Sequence, residues 1–315
     1  AVLPGVGLLV VAVLALLPPP SLIKPPPYGT LLAEQESVYT YIQVVRKEDG
    51  DVHLVLNEGH AVHSIYRADQ NHPLTNGPWD YWLVAPYVNA NMRQENVQSL
   101  LMLGSAAGTA AKLFTTVYGP QPVDNVEIDP EIVDLGKQYF HLDEPNVHNI
   151  IQDARAYLRS TSKQYTVVGI DAYRQPYIPF HLTTREFFEE VRDRLEPRGV
   201  VMINAGRTAT DFRLVDVIAT TMRAVYPHVY IIDVATMGNS MIIGSMEPNG
   251  LANFAANAQT ANNPLLQEVF QASLQKGHMR EVAPAAETGL QVFTDDRAPV
   301  EEVIDQLILS YVTGQ

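Results

Sequence analysis

The sequence predicts an α/β fold, a doubly wound and mostly parallel sheet over residues 79–248 preceded by a small antiparallel β-domain at 36–78. Three observations predict it. From about residue 79 short apolar runs alternate with helical stretches, a pattern that needs crossover connections and a sheet covered on both faces. A loop of small residues, Gly104-Ser105-Ala106-Ala107-Gly108-Thr109, stands between the first of those strands and a helix. Three acids, Glu127, Asp153 and Asp171, end successive strands at the edge where such sheets bind ligands.

In chain order, residues 1–23 (AVLPGVGLLVVAVLALLPPPSLI) carry no charge, and Pro18–Pro20 stop their helical part. The tail of a transmembrane helix, a signal peptide or anchor, and a buried segment compete as readings. We read a membrane-associated segment, because exposing such a run to water is costly. Lys24 directly after it suits a cytoplasmic flank for the main domain. The proline-rich stretch that follows reads as a stiff, extended linker at 24–35. VYTYIQVVR, HLVLN and HAVHSIYR then read as strands, divided by an Asp-Gly turn in KEDGD and by Glu58-Gly59.

A helical segment, WDYWLVAPYVNANM, leads into the alternating region. Its strands are VQSLLML, VDNVEI, HNII, YTVVGI, GVVMIN and HVYIID, with helices such as PEIVDLGKQYF and TREFFEEVRDRLEP between them. SMIIGS adds an antiparallel edge, and residues 249–315 form a C-terminal helical extension. Asp295 and Asp296 shape a pocket rim or cap a helix, with capping the favoured reading, and Trp79 and Trp82 read as packing.

Hydrophobic residues make up 46% of the 315, enough for a sizeable core. The net charge of −14 argues against nucleic acid as a partner and suits a cationic ligand. Without cysteine there are no disulfides, no thiolate nucleophile and no Cys-zinc site. His60 and His63 fall on opposite faces of one strand, so no metal is expected.

Small residues in the 104–109 loop let backbone approach a ligand, and the amides of the following helix can donate to it. Glu127, 23 positions after Gly104, can accept both hydroxyls of a ribose. Asp129-Pro130 starts the next helix as N-cap and N1. Asp153 can reach an adenine amino group, and Asp171 ends the fourth strand. A dinucleotide fold calls only for the first of these acids. All three together favour S-adenosylmethionine or a relative over NAD.

On these residues the chain resembles the spermidine synthase (polyamine aminopropyltransferase) family, particularly its membrane-fused bacterial members, over roughly residues 36–205. The landmarks are ESVY at 36–39, LVLNEG at 54–59, LMLGSAAGT at 101–109, VEIDPEIV at 126–133, QDAR at 152–155 and GIDAY at 169–173. The resemblance implies a methyltransferase-like (Rossmann-like) domain, decarboxylated S-adenosylmethionine as donor, a small-molecule amine as acceptor, and a homo-oligomer. It places Gly104, Ser105, Ala106, Gly108, Glu127, Ile128, Asp153 and Ala154 on the donor, and Asp171 with Tyr173 at the chemistry. Tyr39, His63, Tyr81 and Arg174 fall on the acceptor side.

Departures gather on the amine side. Ala107 replaces the acid of the family's Gly-Gly-Gly-Asp-Gly-Gly, and the second acid of Asp-Ser-Ser-Asp is replaced by Arg174 or lost in a realignment around Tyr173. Tyr81-Trp82-Leu83 replaces Tyr-His/Gln-Glu, and His63 replaces a Gln. Three outcomes are compatible: aminopropyl transfer to a changed partner, a catalytically divergent or inactive module, or an S-adenosylmethionine-dependent methyltransferase. Arg174 suits a donor that keeps its carboxylate.

Overall fold

The computed structural model describes residues 23–57, 61–174 and 176–313. Its first layer is an antiparallel sheet in chain order: β1 (Thr30–Glu36), β2 (Tyr41–Arg46), β3 (Val52–Leu56) and β4 (Ala61–Tyr66). β1 lies inside the span read as linker. The prolines end at Pro27, and Thr30 to Glu36 pair with β2 from Thr30↔Arg46 to Glu36↔Tyr41. Only residues before Thr30 therefore remain as connector, and the small sheet has four strands instead of three.

The second sheet has eight strands in the order β12-β10-β11-β9-β8-β5-β6-β7. They are β5 (Leu100–Leu103), β6 (Val123–Glu127), β7 (Val147–Ile151), β8 (Tyr165–Ile170), β9 (Leu195–Gly206), β10 (His228–Asp233), β11 (Asn239–Ser245) and β12 (Met279–Glu281). β5 pairs in parallel with both β6 and β8, so the chain winds outward on one side through β7 and returns to begin the other. Between β5 and β8 the winding reverses. A crevice opens there beyond the carboxyl ends of the strands.

Two expectations about this sheet need correction. SMIIGS is antiparallel but not at the edge: β11 is inserted between β9 and β10. All its residues after Asn239 are buried, which suits an interior strand, and the short β12 forms the edge. The segment 79–92 is not one helix but two short 3₁₀ turns, Pro78–Leu83 and Ala85–Val88. Pro86 interrupts regular hydrogen bonding, and residues apolar all round give the segment no solvent face.

Helices α1 (Thr109–Tyr118), α2 (Pro130–Tyr139), α3 (Ala154–Ser160), α4 (Arg185–Arg192) and α5 (Arg213–Arg223) connect the strands. The C-terminal extension holds α6 (Gly250–Thr260), α7 (Pro264–Ser273), α8 (Ala285–Thr288) and α9 (Val300–Thr313). It is part of the main body: Phe254, Leu266, Val269 and Phe270 are buried in the core on one face of the large sheet. Asn257 donates to the carbonyls of Tyr87 and Asn89, at 2.8 Å each.

The small sheet packs against the main domain through Ile42, Val44, Leu54 and Leu56, which meet Ile132, Leu135 and Phe140 from α2 and its end. Among the described residues no helix is long and apolar enough to cross a membrane. The segment read as membrane-associated, residues 1–23, lies outside them except for Ile23.

Candidate active site

The crevice between the two sheets is a cleft of about 480 Å³, within the usual range for small-ligand sites. It collects residues from the ends of β6 and β8, from the turns after β5 and β7, and from the β-domain.

The loop at 104–109 is shaped by steric need. Gly104 has φ +80°, and a Cβ there would stand 2.4 Å from the Cα of Ala172. Close approach of the β5 turn to the end of β8 therefore requires glycine. Ala106 also has positive φ, +47°. Its N–H donates to Glu127 at 2.9 Å, and the amides of Ile128 and Asp129 donate to the other oxygen at 2.9 and 3.1 Å. Burial pushes the Glu127 carboxyl up, and these amides work against that shift. Three backbone donors fix its direction, and Oε2, with a single donor, retains accepting capacity.

Asp153 is the N-cap of α3, accepting from Ala156 N–H at 2.9 Å with one oxygen. The other oxygen is 3.4 Å from His181 Nε2. Ile128, Ala154, Pro179 and Leu182 give this half of the cleft an apolar lining.

Asp171 ends β8 where the two halves meet. Asn204 Nδ2, on β9, donates to its Oδ1 at 2.9 Å, and Asn239 in turn donates to Asn204 Oδ1 at 2.9 Å. Burial raises the Asp171 carboxyl from 3.8 to about 7, with the Asn204 hydrogen bond acting the other way. Tyr173 also lines the cleft, but its hydroxyl is occupied. It donates to Asn204 O and accepts from Gly206 N–H, both at 3.1 Å. Burial raises its pKa further. What Tyr173 offers the cleft is its ring and a brace for the loop, so a proton-transfer role does not fit it.

Beyond Asp171 the lining comes from the β1–β2 turn and the β4 side of the small sheet. The Ser37 hydroxyl donates to Asp129 at 2.5 Å, fastening that turn to the α2 N-cap. Val38 and Tyr39, 92% and 47% exposed, project over the opening. Thr40 Oγ1 donates to Asn57 Oδ1 at 2.7 Å. His63 Nε2 is buried without a hydrogen-bond partner among the described residues, and burial lowers the imidazole to about 4, so it is neutral.

Of the residues picked from sequence, Gly104, Ala106, Glu127, Ile128, Asp153, Ala154, Asp171, Tyr173, Tyr39, His63 and Arg174 line one cleft. Ser105, Gly108 and Tyr81 do not. The Ser105 hydroxyl is buried without a partner. Gly108, at φ +88°, is the N-cap of α1, where Leu142 leaves no room for a Cβ. Tyr81 is buried in the core beneath the large sheet, and His60 lies outside the described residues. Ala107 is also turned away: it is 1% exposed and packs with Ile42, Leu54 and Ile132 between the sheets.

Sequence reasoning missed Asn204, Gln152 and His181. Asn204 was visible as the polar end of GVVMIN, a strand neighbouring Asp171. It also misread Asp295, which accepts from Thr184 Oγ1 at 2.6 Å and from the Arg155 guanidinium at 2.8 Å. Arg155 also pairs with Glu190 and donates to the carbonyl of His181, so this ion network holds the wall beside Asp153. Among the described residues no group of three or more His, Asp or Glu is placed to hold a metal.

A model of the spermine/spermidine synthase domain matches residues 89–254. A probable polyamine aminopropyl transferase of Bifidobacterium longum is 31% identical over 88% of this chain and 64% of its own length. A polyamine aminopropyltransferase of Vibrio vulnificus is 27% identical, over 69% of this chain and 72% of that one. The chain thus spans less than two thirds of the Bifidobacterium relative. Among solved structures, a probable spermidine synthase from Corynebacterium glutamicum superposes with a TM-score of 0.65 at 21% identity, covering 85% of this chain and 97% of that one. Spermidine synthase from Thermotoga maritima gives 0.60 at 18% identity, over 78% and 84%. At such identities these two likenesses speak for the fold.

Proposed function

The chain belongs to the spermine/spermidine synthase family, and from that premise we propose that its cleft transfers an aminopropyl group from decarboxylated S-adenosylmethionine to a small-molecule amine. The observation that carries this reading is Asp171, a half-buried carboxyl that desolvation pushes up to about 7, fixed by Asn204 at the junction of the two cleft halves.

The donor-side residues fit a nucleoside. Glu127, oriented by three amides, accepts from ribose hydroxyls. The Asp153 oxygen that faces His181, at 3.4 Å, accepts from an exocyclic amine, and Ile128, Pro179 and Leu182 cover a base. The donor supplies an electrophilic methylene beside a sulfonium. The acceptor nitrogen forms a C–N bond to that carbon as the C–S bond breaks, and the bonding pair stays on sulfur as a neutral thioether. Asp171 Oδ2, which Asn204 leaves open, orients the ammonium and takes its proton. Holding both reactants in one cleft supplies much of the rate.

The test is to incubate the chain with decarboxylated S-adenosylmethionine and putrescine, then look for 5′-methylthioadenosine and an aminopropylated amine by mass spectrometry. A product that disappears with Asp171→Asn supports the reading. No product from any amine acceptor, diamino acids included and with either form of the donor, or full turnover by the variant, refutes it. We also read residues 1–23 as a membrane attachment and the chain as self-associating; vesicle flotation with and without that stretch, and light scattering, test these.

A further inference from the structure

The charges that the cleft leaves unmatched identify what its second half recognises. Glu127 is engaged by three amides, Asp129 by Glu131 N–H and the Ser37 hydroxyl, and Asp153 by Ala156 N–H. Among the described residues Asp171 has one side-chain partner, the neutral Asn204, and no cation. Arg174 lines the same cleft three residues later, and none of the described residues forms an ion pair or side-chain hydrogen bond with it.

Its position is built. Arg174 and Tyr177 exchange backbone hydrogen bonds of 2.8 and 3.0 Å, which close a tight turn. Tyr173 fastens one side of that turn to β9, and the Tyr177 hydroxyl fastens the other to Asp305 of α9 at 2.7 Å. A carboxylate and a guanidinium thus face one cavity without neutralising each other. His63, neutral and with a buried unpartnered Nε2, adds a hydrogen-bonding group but no negative charge. Beside Asp171 a diamine would find a cation where a second acid is wanted. A molecule with an amine and a carboxylate satisfies both.

We infer that this cleft takes a reactant that carries a carboxylate as well as an amine, with Arg174 as the anion-binding group. The inference rests on the cleft being a nucleoside-linked transfer site, as proposed above. The carboxylate belongs either to the donor, as in S-adenosylmethionine itself, or to an amino-acid acceptor. The chemistry at Arg174 is the same in both, a planar carboxylate against a planar fork of donors.

Two matched pairs of probes test it by calorimetry on the whole chain, since each pair differs by one carboxylate. The first is S-adenosylmethionine against its decarboxylated form. The second is ornithine against putrescine, measured with 5′-methylthioadenosine saturating the nucleoside half. The carboxylate-bearing member of one pair is expected to bind roughly tenfold tighter or more. Arg174→Gln should abolish that preference and Arg174→Glu reverse it. Neither should change the affinity for 5′-methylthioadenosine, which has no carboxylate. Preference in the first pair assigns the group to the donor, and in the second to the acceptor. If 5′-methylthioadenosine binds but neither pair shows the preference, or Arg174→Gln retains it, the inference is overturned while the transfer reading stands. If 5′-methylthioadenosine does not bind the unmodified chain, both fall together.

Discussion

Asp171→Asn should stabilise the protein and inactivate it, and the size of the gain should depend on pH. The wild-type carboxyl is raised by burial from 3.8 to about 7. In the unfolded chain it ionises near its ordinary value, so between about pH 4 and pH 7 the native state binds more protons than the unfolded state. Wild-type stability contributed by this group is therefore full below pH 4 and declines as the pH rises to about 7. The gap of about three pH units, at about 1.4 kcal/mol each, sets an upper bound of roughly 4 kcal/mol at pH 8. Asparagine has no such charge to bury, and its Oδ1 can still accept from Asn204 Nδ2. Glu127 and Asp80 are also raised by burial, but both are present in the two proteins and cancel in the difference. Urea unfolding at pH 4 and pH 8 measures the effect. The variant should match wild type within about 0.5 kcal/mol at pH 4 and exceed it by at least about 2 kcal/mol at pH 8. Turnover should fall by about 10²–10⁴. Equal differences at the two pH values, or a variant less stable at pH 8, would refute the claim that Asp171 is a half-buried, destabilising carboxylate.

Tyr173→Phe removes a hydroxyl that bridges Asn204 O and Gly206 N–H, and should cost about 1–2 kcal/mol in thermal unfolding. A loss of activity should follow from loop position, leaving the pH profile of turnover unchanged, whereas a proton-transfer role would shift it. Arg155→Gln leaves Glu190 and Asp295 without their shared buried partner and should cost about 2–4 kcal/mol. It should also weaken 5′-methylthioadenosine binding, because the His181 carbonyl loses its donor; unchanged affinity would separate the network from the site. Gly104→Ala sets a Cβ 2.4 Å from the Cα of Ala172 at a positive φ, so a loss above about 2 kcal/mol is expected, and a neutral result would show that the turn is free to shift.

The half of the cleft around Glu127 and Asp153 was legible in the sequence because its residues sit where secondary structure dictates their direction. Glu127 ends β6, and Asp153 and Asp171 follow β7 and β8, and a parallel sheet delivers the carboxyl ends of these strands to one edge. The wider fold was legible for the same reason, down to Asp129-Pro130 opening α2. The failures have physical causes too. β1 hid behind prolines and shows little alternation, since it is half-buried along its length. β11 looks identical from sequence whether it lies at an edge or is inserted between β9 and β10. Tyr81 was assigned by position in a motif, but a segment apolar all round is drawn wholly into the core and takes the tyrosine with it.

The acceptor half resists such reading because loops and a second sheet build it, and there the departures from the family pattern change meaning in three dimensions. Ala107 is not an acid deleted from a pocket wall: its methyl packs into the apolar contact that joins the β-domain to α2. An aspartate at that position, in this backbone, would bury a charge among Ile42, Leu54 and Ile132. Arg174 differs in kind, since it is an exposed residue on the rim of the cleft, on a turn braced at Tyr173 and Tyr177. Loss of an acid alone would fit a decaying site. An acid lost to packing, together with a cation gained on a braced turn while Asp171 keeps its burial and its asparagine, fits a site re-aimed at a different charge pattern. A decaying cleft would also have no reason to retain the Asn239–Asn204–Asp171 chain, because a half-buried carboxyl raised to about 7 destabilises the fold that carries it.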